Sequence, residues 1–450
     1  MLVKVGVLPL PWLLGIGFAA VLVTGGVGVA LWRTRVPPSW FRFSALSLVA
    51  LIGIAGSALG VKVVGDVQGF VDRASPQTPK SEYAVIALQS HPAGESSLRG
   101  ENLGELSSDP NRQAVESKLE TLFEVEFTPC ADPTELASSL TAAAFDAAVL
   151  DSSFLSLYEE SDPEFFASIQ ILYTFDIDTP SVAAPSQPPA KPGQSFVVYI
   201  SGIDTAGAIN KVSRSDVNIL MAINPDTGKV LLVNTPRDYY VQLHGTEGQT
   251  KDKLTHAGIY GVQKSIDTLQ DLYDIKIDFY TRVNFSSLVK IVDTLGGIDV
   301  NVEQAFTSLH GNFTFTPGMT HMNGEEALGF SRERYSFAAG DRVRGQNQQK
   351  VIAALIAKAS ERSNLLRYDK LLAALEGAVE MNIPLEQISD LVKLRLADGK
   401  SWQVESISVD GQGASLPTYS MGAQKLYVMI PDQSTIDTAH QKLTALLARE

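Results

Sequence analysis

Arg332, Arg334, Arg342 and Arg344 fall within one short stretch, FSRERYSFAAGDRVRGQNQQKV (residues 330–351), interrupted only by Glu333 and Asp341. The whole chain has a formal net charge of -14. Arginines gathered this densely in an acidic protein form either a solvated face or a site for something anionic. Arg332 and Arg334 lie two apart behind Leu328 and Phe330, a strand spacing that predicts both guanidinium groups on one side of a sheet. Asn347 and Gln348 add neutral donors just after Arg344, and Asp341 is a carboxylate in the middle of the nest.

Two further polar islands stand in the same half of the chain. The first is Ser201-Gly202-Ile203-Asp204, followed ten residues on by Arg214-Ser215-Asp216. Carboxylates at a strand end and at the next strand's start can share one hard cation, and Mg²⁺ between two carboxylates and phosphate oxygens is a recurrent arrangement. Loop aspartates also serve as caps and turn formers, and spacing alone leaves both uses open. The second island is Asn234-Thr235-Pro236-Arg237-Asp238. Arg237 directly follows an apolar strand, where open α/β sheets place their ligands, though a surface ion pair with Asp238 is the simpler use. The sequence has no Walker loop, HExxH, GxSxG or CxxC, and its six histidines (91, 244, 256, 310, 321, 440) show no ligand spacing. Arginines with a few carboxylates and no nucleophile suit phosphoryl transfer by positioning and charge neutralisation.

The elements that must position these residues read as follows. Prolines at 180, 185, 188, 189 and 192 mark an extended linker over residues 178–194. Ahead of it, strands at 83–88 and 146–150 and helices at 112–122 and 133–144 predict a small α/β domain over residues 81–176, with Asp146 and Asp151 in turn or cap roles. Behind it, residues 195–450 alternate strands (195–201, 217–223, 230–234, 277–283, 298–302) with helices (257–273, 285–295, 346–362), a pattern that predicts a mixed central sheet flanked by helices. The helix from 346 opens directly after the arginine segment, so its N-terminus and the arginines can address one anion.

Residues 9–32 and 44–64 are apolar runs of about 20 residues, each able to cross a bilayer of roughly 30 Å. They predict a membrane anchor over residues 1–66 with two transmembrane helices. Arg33, Arg35 and Arg42 between them place that loop in the cytoplasm and the rest of the chain on the extracellular side. A single cysteine, Cys130, leaves no internal disulfide, and the acidic balance argues against a nucleic-acid partner.

In this order, SGID, RSDV, NTPRD, DKLTHAGIYG, KIVDTLGGIDV, HMNGEEALGFSRERY and GDRVRGQNQQKV resemble the LytR-CpsA-Psr family of cell-wall glycopolymer transferases, over about residues 195–445. The anchor and the small domain ahead of it resemble the streptococcal capsule branch. The resemblance implies a membrane-bound phosphotransferase that moves a phospho-glycopolymer, capsular polysaccharide or a teichoic-acid-like polymer, from a polyprenyl-pyrophosphate carrier to peptidoglycan with Mg²⁺. By the same resemblance Asp204 and Asp216 match the magnesium site. Arg214, Arg237, Arg332, Arg334, Arg344 and Gln348 match the pyrophosphate set, and Asp341 matches the residue that assists the acceptor hydroxyl. Arg342 matches no role, and Val217 stands where many members have threonine. An isoprenoid tail needs an apolar tunnel, for which helices around 259–272 and 288–295 are available unless they serve core packing. Asp341, among arginines, is expected to have a depressed pKa. A non-catalytic, lipid-carrier-binding regulator of polymer assembly, with capsule-assembly proteins as partners, is the alternative reading.

Overall fold

The computed structural model describes residues 69, 74–75, 80–179, 190–191, 193–203, 209–246, 251–365 and 377–448. The two apolar N-terminal runs, most of the proline-rich segment and Asp204 lie outside the described residues. Among those described, no helix is long and apolar enough to cross a membrane.

Residues 80–178 build one sheet from β1 (Lys80–Leu88), β2 (Asn102–Leu106), β3 (Glu126–Cys130), β4 (Ala147–Asp151) and β5 (Ile169–Asp178), ordered β3-β2-β4-β1-β5. β2 runs parallel to β3 and β4, while β1 is antiparallel to β4 and β5. Apolar residues alternate along β1, so Ala84 and Ile86 face one core and Tyr83, Val85 and Ala87 the other. The helix Pro133–Thr141 starts on Asp132, whose carboxylate accepts from the Glu135 amide at 2.9 Å, with Pro133 preset for the first turn. It ends sooner than the sequence predicts because Ala143 turns left-handed at φ 54°. Asp146 and Asp151 do local work: Asp146 accepts from the Asn102 amide and Asp151 from the Ser153 amide.

The larger unit contributes β6 (Phe196–Ile203), β7 (Ser215–Asn224), β8 (Lys229–Asn234), β9 (Tyr240–Val241), β10 (Asp252–Lys253), β11 (Phe279–Asn284), β12 (Ile298–Val302), β13 (Phe306–Thr307), β14 (Thr314–Phe315), β15 (Gly318–Met322), β16 (Val379–Met381), β17 (Gln403–Ser408), β18 (Gly411–Thr418) and β19 (Gly422–Pro431). Its main sheet is ordered β16-β11-β6-β7-β8-β17. β6 pairs parallel with β11 and antiparallel with β7, β7 antiparallel with β8, and β8 parallel with β17. β6, β8, β11 and β17 therefore share a direction, and their carboxyl ends share an edge. Every residue of β6 is buried, as expected of a central strand covered on both faces. Val197 and Tyr199 pack under the helices Val262–Tyr273 and Gln433–Leu447, whereas Val198 and Ile200 pack under Asp341–Ala359 and Leu385–Asp398.

Three sequence readings need correction. Arg332 and Arg334 do not lie on a strand: Gly324–Arg332 is a helix, opened by a capping box between Asn323 and Glu326, and Arg334 sits in the loop beyond it. The final helix of the arginine segment begins at Asp341 rather than 346, just after Gly340 at φ 45°, so Asp341, Arg342 and Arg344 belong to its opening turns. The helix expected over 257–273 is interrupted, because Gly261 at φ 95° separates a 3₁₀ turn from Val262–Tyr273.

The two units share a core. Ile259, Met421 and Leu426 of the larger one pack with Ala84, Leu136 and Tyr158 of the smaller. Polar contacts stitch the same boundary: Thr134 Oγ1 donates to the Met421 carbonyl and Gln424 Nε2 to the Ser161 carbonyl, both at 2.8 Å.

Candidate active site

At the shared carboxyl edge of the main sheet, β8 ends at Asn234 and the chain turns sharply through Pro236 to Asp238. That turn is held from below, since the amides of Leu254 and Thr255 donate to the carbonyls of Tyr239 and Arg237 at 2.9 Å. β7 opens beside it with Ser215 and Asp216. The tight turn Gly258–Tyr260 presses on this opening: a side chain at Gly258 would stand 2.5 Å from the Ser213 carbonyl oxygen, so only glycine fits.

Arg237 is the centre of the cluster and is buried. Its Nη1 donates to Asp216 Oδ2 at 3.0 Å, and its Nε lies 3.7 Å from Asp238 Oδ2. Thr255 Oγ1 donates to the other Asp216 oxygen at 3.0 Å. Lys253, fully buried, sets its ammonium 3.2 Å from Asp238 Oδ1. Burial would raise the Asp216 carboxyl, but Arg237, Arg214 and Arg344 outweigh it and hold it at about 2, ionised at any working pH. Burial acts against the Arg237 cation too, and Asp216, Asp238 and Glu160 more than restore it.

The helix Asp341–Ala359 delivers the next residues. Gly345 allows its close approach, because a Cβ there would meet the Asn234 amide nitrogen at 2.3 Å. Gln349 locks the helix to β8 and β17 through the carbonyls of Leu232 and Ile407. Asp341 pairs with Arg344 on its own helix, and Gln348 is half-buried one turn beyond Arg344 on the same face. Arg342 points elsewhere and pairs with Asp410 at 2.5 Å. The expected depression of the Asp341 pKa is overturned. Burial pushes this carboxyl above the ordinary aspartate value, and the neighbouring Asp238 and Asp216 add to that against Arg344 and Arg237. An arginine-rich sequence neighbourhood misleads here, because the tertiary neighbours include two more carboxylates.

Arg332 and Arg334 stand apart from this cluster. Arg332 is exposed and lies over the Phe285 ring, 4.2 Å from its centroid; Arg334 lies over Tyr335 at 4.7 Å. Neither makes an ion pair among the described residues. Glu333 turns inward instead, accepting from the amides of Leu309 and Ser336 at 2.6 and 2.8 Å. The segment thus offers two guanidinium groups without carboxylates, stiffened by aromatic faces.

Oxygen donors suited to a hard divalent cation are present. Asp216 is ionised, and Asp238 Oδ1 is buried without a hydrogen-bond partner, though close to Lys253. Among the described residues no three His, Cys, Asp or Glu gather closely enough to form a metal site by themselves. β6 ends at Ile203, whose backbone pairs with Ser215; Asp204 follows outside the described residues.

Sequence reasoning missed Lys253, Thr255 and Glu160 as members of the cluster, and gave Asp238 only as a surface ion-pair partner of Arg237, where the structure buries it. Lys253 and Thr255 had a signal, since both lie in the quoted segment DKLTHAGIYG. Glu160 had none: it belongs to the smaller unit, on the helix Ser153–Ser161, yet its carboxylate lies 2.9 Å from Lys253 Nζ, 3.0 Å from Arg214 Nη1 and 3.5 Å from Arg237 Nη2. The helices considered for a lipid tunnel turn Ile266, Leu269, Tyr273 and Val292 into the cores, while Leu288 and Ile291 stay half-buried.

The chain belongs to the LytR_cpsA_psr family, which residues 171–444 match. A Bacillus cereus protein named "Polyisoprenyl-teichoic acid--peptidoglycan teichoic acid transferase TagU" is 34% identical over 197 residues, which is 44% of this chain. The matched part spans 63% of that relative's length. An Oceanobacillus iheyensis protein of the same name is 28% identical over 276 residues, 60% of this chain and 78% of its own. The crystal structure of Bacillus subtilis TagV is 27% identical, with a TM-score of 0.50, covering 57% of this chain and 98% of TagV.

Proposed function

We propose that this protein is a phosphotransferase that moves a phospho-linked glycopolymer from a polyprenyl-pyrophosphate carrier to peptidoglycan. The carrying observation is the placement of Arg214, Arg237, Lys253 and Arg344 at the carboxyl edge of the sheet. Beside Arg344 stands a carboxyl group, Asp341, with a raised pKa, and Arg332 and Arg334, apart from the cluster, add two guanidinium groups that have no ion-pair partner among the described residues. Planar guanidinium forks bind phosphate oxygens two at a time and stay charged, which suits a pyrophosphate diester. The relatives' names, teichoic acid transferases acting between a polyisoprenyl-linked polymer and peptidoglycan, point the same way.

In this mechanism the acceptor hydroxyl attacks the phosphorus that carries the glycopolymer, and the bond from that phosphorus to the bridging oxygen breaks. Polyprenyl monophosphate leaves. Asp341 accepts the hydroxyl proton, and its raised pKa makes it a stronger base than an ordinary aspartate. The arginines hold the phosphates in line and take up the charge that grows on the leaving group. Asp204 and Asp216 would hold Mg²⁺, whose chemistry here is to neutralise phosphate charge. The lipid tail would lie along the half-buried aliphatic face of the helix Phe285–Thr294, which starts beneath Arg332. Residues 9–32 and 44–64 would anchor the chain in the cell membrane with the site outside, where a wall acceptor is available. The polymer would be capsular or teichoic-acid-like.

The deciding experiment incubates the protein with a lipid-pyrophosphate-linked glycan, Mg²⁺ and peptidoglycan, and follows polyprenyl monophosphate release and glycan transfer. Both should appear with wild type and vanish with Arg237→Ala. Retention of the lipid without either product would refute transfer and favour the lipid-binding regulator.

A further inference from the structure

Glu160 is the one carboxylate in the cluster that comes from outside the larger unit and outside the residues matched by the family. It is also the most open. Its side chain is 36% exposed, against 12% for Asp216, 9% for Asp238 and 22% for Asp341. One carboxylate touching Arg214, Arg237 and Lys253 together covers the same donors that a phosphate would use.

The other partners of these cations are fixed. Asp216 sits at the start of β7 and Asp238 on the turn next to Arg237, and they occupy the Nη1 and Nε sides of Arg237. Glu160 takes the remaining Nη2 side, and among the described residues it is the ion-pair partner of Arg214. With it in place, Arg214, Arg237, Lys253 and Arg344 face Glu160, Asp216, Asp238 and Asp341, so four cations are balanced by four carboxylates. An anion entering that arrangement gains little net attraction unless one carboxylate withdraws. The helix end that bears Glu160 is tied down by Gln424, which donates to the Ser161 carbonyl, so rotation of the side chain into solvent is the movement available.

We propose that Glu160 is a specificity-determining residue supplied by the smaller unit: it occupies the phosphate position of the anion site and is displaced by the donor's pyrophosphate. A ligand that reaches only the Arg214–Lys253 side must compete with Glu160 unaided. A two-phosphate head brings more charge and more acceptor oxygens to Arg214, Arg237 and Lys253 than a single phosphate does, and so recovers more of the loss. The smaller unit thereby favours a two-phosphate head over a single phosphate. This inference rests on the reading of the cluster as the donor's anion site.

The test measures binding of inorganic pyrophosphate and inorganic phosphate to the full-length chain by calorimetry in metal-free buffer. Glu160→Gln keeps the side-chain shape and removes the competing charge. It should bind both probes more tightly, phosphate by about tenfold and pyrophosphate by less. Affinities equal to or weaker than wild type would overturn the proposal and make Glu160 a clamp that holds the cations in place. A larger gain for pyrophosphate would also overturn the selectivity. Absence of pyrophosphate binding by both proteins, with unchanged melting, would refute the anion-site reading itself and this proposal with it. Should Glu160→Gln fail to fold, Glu160→Asp withdraws the charge by one methylene and carries the same comparison: tighter phosphate binding supports displacement, and none overturns it.

Discussion

Replacing Lys253 by methionine is the sharpest probe of how the cluster is held. The side chain is 1% exposed, and its ammonium lies 3.2 Å from Asp238 and 2.9 Å from Glu160. At an effective dielectric of about 20, a 3.2 Å pair attracts by roughly 5 kcal/mol before the cost of desolvating both ions. Methionine fills the space of the aliphatic stem, so packing is largely kept. Loss of the charge strands Asp238, which keeps only a 3.7 Å contact with Arg237 Nε, whereas Glu160 is open enough to find water and its share is discounted. The net cost should be about 3 kcal/mol, near the lower end of what breaking a buried pair removes. Denaturant unfolding followed by circular dichroism measures it, and the double variant Lys253→Met with Asp238→Asn supplies the control. Removing the stranded carboxylate should return at least about 1 kcal/mol. Strictly additive losses would show that Lys253 stabilises the fold by something other than neutralising Asp238, and the electrostatic reasoning would fail.

Further expectations concern three single groups. Asp341→Asn should lower transfer by about 10² while pyrophosphate binding stays at least as tight as in wild type; parallel losses would make it a scaffold for Arg344. Because the ionised form of Asp341 is the base and its pKa is raised, the wild-type rate should fall on acidification at a pH above the ordinary aspartate range. An acid limb at or below that range in kcat would contradict the assignment. Asp151 has its folded pKa pushed up to about 6 from 3.8, by burial first, so the fold keeps a proton that the unfolded chain releases between these values. Stability is therefore lost as pH rises from 3.8 to 6, by up to about 3 kcal/mol, and Asp151→Asn should abolish that slope in unfolding curves taken across the window. Arg332→Ala removes an exposed cation that has no ion-pair partner among the described residues, so it should weaken donor binding, seen as a raised KM, with a melting temperature within about 2 °C of wild type.

Strands were legible because burial writes a simple signal, a continuous apolar run where both faces are covered, as in Lys229–Asn234, and strict alternation where one face is covered, as in Ile298–Val302. The predicted ranges 230–234 and 298–302 fall on Lys229–Asn234 and Ile298–Val302 with little or no error. The arginine segment was read with the wrong periodicity. Leu328, Phe330, Arg332 and Arg334 alternate as in a strand, but the Asn323–Glu326 capping box had already committed the chain to a helix, and local capping outweighed a four-residue alternation.

The sequence by itself determined the chemistry on offer: arginines and carboxylates in separate islands, without a nucleophile, on strand ends and helix starts that a mixed sheet brings to one edge. Its motifs were also sufficient to mark the family. Tertiary structure alone decided which charges meet and what that does to them. Asp341 acquires a raised pKa because Asp238 and Asp216, distant in sequence, face it across the sheet edge. Arg214, Arg237 and Lys253 acquire a common partner 54, 77 and 93 residues away. Such pairings follow from how the chain folds and how its two units pack on a shared core, and Coulomb attraction depends on the resulting distance in space, to which spacing along the chain gives no guide.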